Sequence, residues 1–520
     1  MRDDGLVRDL ALAATGSSWA EVRATSMSRT GVTVASYAGP MPSGLRARLE
    51  HPWAPAAVLG GAIALLRLPS FVGQLFDPDE AAISAQAIGL WRGGEMYIDG
   101  IDRKPPGAPF IYELSHQITG STDLRLLHVF AAILLLGAAL LIAAEARRTA
   151  GRAAFWWGGA LMATGALAMV PVDAQAANYS HLALPFGALA MVAARRGTDR
   201  AAFITGLALA IATLTRQTWA IGVIPAAVAL WRFGDWRRHL PLAFIGGLVP
   251  IGVMALVVPW SDFYYWTFES NGSFVLGGAE VGAIAGRAAV SVGLFAAFHL
   301  VAVWFGLRSD PRRNPDLWLW VITGGVAVAV GFRFYGHYWL QVVPALALLG
   351  AIELSRQSDQ TQRKAGRLVG ATAVVALALA WTPETVRELP DPAPLAAVVV
   401  ANSTPDDTVL VWGNFPEVYW EAERAPTGGF VSMDFVTGRT GSRENTAATI
   451  ADAPDRGYPH LLGAMAGQLP AVIIDTQPRE FREYAPYPIA LFPELATLIA
   501  EHYHPVQVVD GFDVYLLSRR

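Results

Sequence analysis

Three carboxylates, Asp77, Asp79 and Glu80, crowd the stretch LFDPDEAAISAQAIGLWRGG (75–94), where a strongly apolar segment stops. Two of them suit a helix start. Asp77 serves as N-cap, Pro78 fits the first helical position, and Glu80 falls three residues after the cap, as a capping box requires. Asp79 is left without a structural task, which makes it the carboxylate available for chemistry. Cations follow along the chain: Arg103 and Lys104 in DRKPPGAP, Arg125 in LRLLHVFAA, Arg216 in TLTRQTW, and Arg333 with His337 in GFRFYGHYWLQ. One free carboxylate among several cations suits transfer of a sugar from a lipid phosphate. Phosphate is already a good leaving group, so no general acid is needed. Cations must hold the charge it gains, and arginine forks fit its oxygens. The carboxylate deprotonates the attacking hydroxyl, assistance worth roughly 10²- to 10⁴-fold.

The elements that must position these residues are membrane spans. Of 520 residues 53% are hydrophobic and only 16% charged, and the mean hydropathy is +0.36. A soluble domain carries about a quarter charged residues, so the class is integral membrane protein. A net charge of −4 gives no case for nucleic acid, and the lack of cysteine excludes disulfides, thiolate metal sites and a cysteine nucleophile. Apolar runs long enough to cross a bilayer recur near 54–75, 124–144, 153–172, 176–193, 201–215, 217–231, 240–259, 285–306, 316–332, 338–354 and 367–382. That is about eleven spans. The loops EARRTAGR, ARRGTDR, WRFGDWRRH, RSDPRRNP and LSRQSDQTQRKAGR carry clustered Arg or Lys. The intervening PVDAQAAN and WSDFYYWTFESNGSFVLGGAEVG carry none. The positive-inside rule therefore sets the first group and the N-terminus in the cytoplasm, and the second group outside. Trp156, Trp157, Trp231, Trp236, Trp260, Trp318 and Trp339 fall near span ends, as interfacial aromatics do. Arg67 lies within the first span, in its outer half, and an ionisable residue at that depth needs a partner.

Three regions result. Residues 1–50 are polar, lack an apolar core of signal-peptide type and read as disordered. Residues 51–382 form the transmembrane catalytic domain, with 77–123 as its first extracytoplasmic loop. Residues 383–520 form an extracytoplasmic tail in which DTVLVWGN, PAVIIDT and GFDVYLLSR read as strands, and HLLGAMAGQ and FPELATLIAEHY as helices. This predicts a small α/β domain without a Gly-rich phosphate loop, suited to a structural or acceptor-presenting role. The expected location is the plasma (inner) membrane. Cytoplasmic loops of about ten residues are too short to build a nucleotide site, which favours a donor reached from within the bilayer.

A first span ending in an outer-face Asp-Glu, a later Lys-Pro-Pro, and an Arg opening the second span resemble the GT-C glycosyltransferases. Among these, the protein O-mannosyltransferases and the aminoarabinose transferase of lipid A are similar in DPDEAA, RKPPGAPFIYEL and LRLLHVFAA, and the resemblance covers roughly residues 54–355. It implies a polytopic α-helical membrane protein of GT-C type with a C-terminal extracytoplasmic α/β domain. The donor would be a polyprenyl-phosphate sugar, and the acceptor an envelope glycan, glycolipid or protein. Asp79 is then the catalytic base, with Glu80 the second member of the acidic pair. Lys104, Arg103, Arg125, Arg216, Arg333, His337, Tyr338 and Gln341 are the residues expected to bind donor phosphate and sugar. Some relatives use a divalent metal. The chain has Arg103 where the aminoarabinose transferase has an acid before Lys-Pro-Pro, and no residue is assigned as a metal ligand. That departure, and a tail unlike those of the named families, leave sugar and acceptor open. The rival reading is a transporter or flippase of an anionic lipid, which predicts broken helices in paired halves and internal repeats; neither is evident. A catalytically inactive scaffold is a third.

Overall fold

The computed structural model describes residues 53–169, 171–270, 281–381, 391–440 and 447–518. The N-terminal segment 1–50 and the junction placed at 382/383 lie outside them. Helices occupy each of the apolar runs. Among the described residues, four are long and apolar enough to cross a membrane: Arg125–Ala150, Trp236–Val257, Val281–Phe298 and Pro315–Phe332. In Trp236–Val257 and Val281–Phe298 only 11% of the most apolar window is buried. An apolar helix that hides so little of itself faces lipid. The bundle's core is lined instead by small residues of Arg125–Ala150, Arg152–Leu167, Tyr179–Ala194 and Val343–Leu354. The first run is not one straight helix. Ala54–Leu66 ends at Arg67, and a short second piece, Leu68–Val72, follows with Pro69 in its first turn.

Arg67 stands at that break. Its guanidinium is fully buried and donates to the carbonyls of Ala174 (3.2 Å), Gln175 (2.8 Å) and Ala176 (3.3 Å). Those three groups are the otherwise unanswered end of the short helix Pro171–Gln175, so the cation satisfies carbonyls that no backbone N–H reaches. The result fixes the 171–178 segment against the first span.

The bundle has two chemically distinct ends. Arg125 and Glu145 sit at opposite ends of one helix, about 30 Å apart at 1.5 Å per residue. At the Glu145 end, Glu145 accepts from Arg148 (2.6 and 2.9 Å) and Arg195 (2.8 Å). Asp316 pairs with Arg195 and, at 3.2 Å, with Arg232. Buried charges are tolerated when paired in this way, and here they tie four helices together. The carboxylates and cations of interest lie at the other end.

The C-terminal region is a five-stranded mixed sheet, β1 Thr408–Trp412, β2 Ala425–Pro426, β3 Val472–Asp475, β4 Tyr503–Val509 and β5 Phe512–Leu517, in the order β2-β1-β3-β5-β4. β1 runs parallel to β2 and β3, while β5 is antiparallel to β3 and β4. The helices Gly457–Gly467 and Pro493–His502 cover it, as the hydrophobic periodicity predicts. β4 was not expected, because Pro505 interrupts it; the register shifts between Pro505 and Gln507, a bulge that accommodates the missing donor. The sheet domain docks on the first loop. Ile101 N–H donates to Gly429 O (2.9 Å), and Thr122 and Trp420 exchange hydrogen bonds of 3.0 and 2.9 Å.

Candidate active site

The helix Pro78–Trp91 starts as the local sequence dictates. Asp77 Oδ1 accepts from the backbone N–H of Asp79 (2.9 Å), so the cap uses Asp79's main chain and leaves its carboxylate free. Glu80 is structural rather than accessible. Fully buried, it accepts from Phe76 N–H (2.9 Å), His128 Nε2 (2.8 Å) and Ala177 N–H (2.7 Å). Instead of closing a box on the cap residue, it reaches one residue further back and also pins the 171–178 segment. Both its oxygens are occupied, which argues against the catalytic place expected for it.

Lys104 Nζ donates to Asp79 Oδ1 at 3.0 Å, and both side chains keep 29% exposure. Lys104 also lies over the Tyr179 ring, 4.3 Å from its centroid. Tyr179 O–H donates to Asp102 Oδ2 (2.7 Å), and Tyr97 O–H holds the Lys104 carbonyl (2.9 Å). Burial alone would lower the Lys104 pKa, but Asp79 and Asp102 outweigh it and raise it, so the lysine stays a cation. Burial likewise pushes Asp79 up, yet Lys104, His337 and Arg216 together bring it below its ordinary value.

Arg216 flanks this pair. It terminates the helix Asp199–Thr215 with an extended backbone, φ −149°, which swings its side chain back across the bundle end. The guanidinium donates to Ser180 Oγ and to Thr218 Oγ1 (3.2 Å), and lies 4.1 Å from the Tyr338 ring centroid. Gln341 donates to the same Thr218 hydroxyl. Gln341 and Tyr338 therefore act on the arginine, one through Thr218 and one by stacking.

The segment PVDAQAANYSH contributes more than sequence reasoning found. Asp173, Asn178, Tyr179, Ser180 and His181 all reach the bundle end, although they read as a loop without Arg or Lys and the start of an apolar helix. His337 Nδ1 lies 3.2 Å from Asp173 Oδ2 and 3.9 Å from Asp77 Oδ2. Asn178 Nδ2 donates to Asp77 Oδ2 (3.0 Å). The ligand atoms of Asp77, Asp173 and His337 all lie within 4.8 Å of one another. Two carboxylates and an imidazole form a donor set that fits a divalent cation. Three scattered residues, none spaced as a motif, gave no signal of this in the sequence.

Not every predicted cation converges. Arg125 pairs with its neighbour Asp123 (2.8 Å), with 53% of its side chain exposed, and no contact found among the described residues takes it to the cluster. Arg103 turns toward the sheet domain and stacks 4.0 Å from the Phe435 ring centroid. Burial brings its pKa down to about 10 against the opposing pull of Asp434 and Asp102, so it remains charged. Arg333 sits in a turn where Gly331, Phe332 and Phe334 all have positive φ (76°, 56° and 54°). A phenylalanine in that region is strained. Ser291 helps hold the turn, donating to Phe334 O (2.8 Å) while accepting from Trp339 Nε1 (2.8 Å).

No protein-family model and no curated protein sequence matches the chain. Solved structures do. ArnT from Cupriavidus metallidurans, bound to undecaprenyl phosphate, is similar with a TM-score of 0.60 and 15% identity, over 88% of this chain and 97% of that one. The archaeal oligosaccharyltransferase AglB from Archaeoglobus fulgidus, in complex with an inhibitory peptide and a dolichol-phosphate, is similar with a TM-score of 0.51 and 11% identity, over 90% of this chain and 74% of that one. The chain shares the fold of these two proteins over most of its length.

Proposed function

We propose that this chain is a membrane glycosyltransferase of GT-C fold. It moves one sugar from a polyprenyl-phosphate donor to an envelope glycan, lipid or protein on the outer face of the plasma membrane. The observation that carries this reading is the 3.0 Å contact between Asp79 and Lys104, flanked by Arg216. It unites the one carboxylate that the helix start does not consume with two fixed cations. Further support comes from the neighbours of similar fold, whose structures hold undecaprenyl phosphate and dolichol-phosphate.

Asp79 takes the proton of the acceptor hydroxyl as its oxygen bonds to the anomeric carbon. The bond from that carbon to the phosphate oxygen breaks, and the electron pair leaves with the polyprenyl phosphate. Lys104 and Arg216 meet the added charge, in a place where water is partly excluded and such contacts are strong. A divalent cation held by Asp77, Asp173 and His337 would supply further positive charge to the phosphate. The sheet domain, docked beside Arg103, is suited to present the acceptor.

Deleting the gene in its host tests the reading at the level of the cell. One sugar should disappear from an envelope glycan, lipid or protein while the matching polyprenyl-phosphate sugar accumulates. Unchanged envelope sugars together with an unchanged lipid-linked pool would contradict it.

A further inference from the structure

Both cations of the proposed phosphate site rest on a tyrosine ring. Lys104 Nζ lies 4.3 Å from the ring centroid of Tyr179, and the Arg216 guanidinium 4.1 Å from that of Tyr338. At the Glu145 end of the bundle, by contrast, the arginines are held by carboxylates. The two kinds of partner differ in what they leave over. A carboxylate neutralises its cation and takes up its N–H donors. A ring face attracts the charge through its quadrupole and leaves the charge in place for a ligand. Arg216 commits Nε to Thr218 and Nη1 to Ser180, and its Nη2 donates to no group among the described residues. Lys104 commits one of its three donors, to Asp79. The proposed reaction needs that same carboxylate for the acceptor's proton. A second support must therefore hold the lysine once phosphate draws the ammonium away from Asp79.

The Tyr179 ring is tied at both ends. Its backbone opens the helix Tyr179–Ala194, capped by Asn178 Oδ1, which accepts from the N–H groups of Ser180 (3.1 Å) and His181 (3.4 Å). At the tip, Tyr179 O–H donates to Asp102 Oδ2 (2.7 Å). Gln86 Nε2 donates to the same Asp102 oxygen (3.2 Å) and to the Tyr179 hydroxyl (3.4 Å), and Gln86 and Tyr179 are both buried. Asp102 is itself fixed, its Oδ1 accepting from Arg103 N–H (2.6 Å). A phenol whose hydrogen is drawn to a carboxylate carries a more electron-rich ring, because hydrogen bonds in series polarise one another. The tie at the tip thus both immobilises the face and strengthens its pull on a cation.

We propose that Tyr179 is a positioning residue, whose ring face seats the Lys104 ammonium against the donor phosphate after Asp79 releases it, and that Asp102 and Gln86 hold the ring for this task. The assignment rests on the glycosyltransferase reading.

Equilibrium binding of undecaprenyl phosphate to the purified full chain in detergent tests this, with Lys104 and Tyr179 changed singly and together. Tyr179→Leu should weaken binding about three- to thirtyfold, and Tyr179→Phe, which keeps a ring, by about threefold at most. In a Lys104→Ala background Tyr179→Leu should cost no more than about twofold, since the seat has lost its cation. Phenylalanines carrying one, two or three ring fluorines at position 179 keep the shape while draining the face of electron density. Affinity should fall stepwise along that series, a trend that packing alone does not produce, and the series decides the matter even if Tyr179→Leu fails to fold. If wild-type protein does not bind undecaprenyl phosphate, the glycosyltransferase reading itself falls. If it binds but the fluorinated series is flat, only the assignment of Tyr179 falls. The same holds if Tyr179→Leu costs as much in Lys104→Ala as in the wild type.

Discussion

Asp79→Asn is expected to lower the rate of sugar transfer by two orders of magnitude or more, with the thermal midpoint in detergent unchanged. General-base assistance is worth roughly 10²- to 10⁴-fold, and asparagine cannot accept the proton. The substitution is clean because the helix cap uses Asp79's backbone N–H, donated to Asp77 Oδ1, and not its side chain. Glu80 offers no substitute, since its oxygens are taken up by Phe76, His128 and Ala177. Turnover of Asp79→Asn near that of the wild type, measured with radiolabelled donor, would show that another group takes the proton.

The next largest effect is expected at Lys104. Lys104→Ala removes a charge-assisted contact to phosphate, worth roughly 1.5–3 kcal/mol where water is excluded. That corresponds to about a ten- to hundredfold fall in kcat/KM. The phosphate gains charge only as the bond breaks, so part of the loss should appear in kcat and not in KM alone. The same substitution removes the partner of Asp79, and Lys104→Arg, which keeps the charge, should recover part of the rate. Unchanged kcat and KM in Lys104→Ala would dissolve the site as drawn, even with a lipid-linked donor.

What could be read from the sequence was whatever obeys a local rule. The cap at Asp77 follows from residue type and position, and it was correct that Asp79's carboxylate is not needed to start the helix. The apolar runs and three of the five strands were visible because periodicity is a short-range signal. Interactions that depend on distant partners were not visible. Glu80 looked like a capping-box residue, yet its burial is set by Ala177 and His128, which the chain brings in from other helices. Arg67 appeared as a costly intramembrane charge, and only the return of 174–176 shows that it caps a helix end. Asp173, Asn178 and His181 lacked any spacing that announces a site, because their companions Asp77 and His337 come from separate elements. Arg103, expected to bind donor phosphate and sugar, also stacks on Phe435, a contact made by docking of the sheet domain that no local rule announces.

The most direct test of the central claim is transfer by the purified protein in liposomes, from parallel panels of undecaprenyl-phosphate sugars and nucleotide sugars. The account predicts transfer from at least one lipid-linked donor, none from nucleotide sugars, and loss of that transfer in Asp79→Asn. Robust transfer from a nucleotide sugar with no lipid carrier present would contradict it.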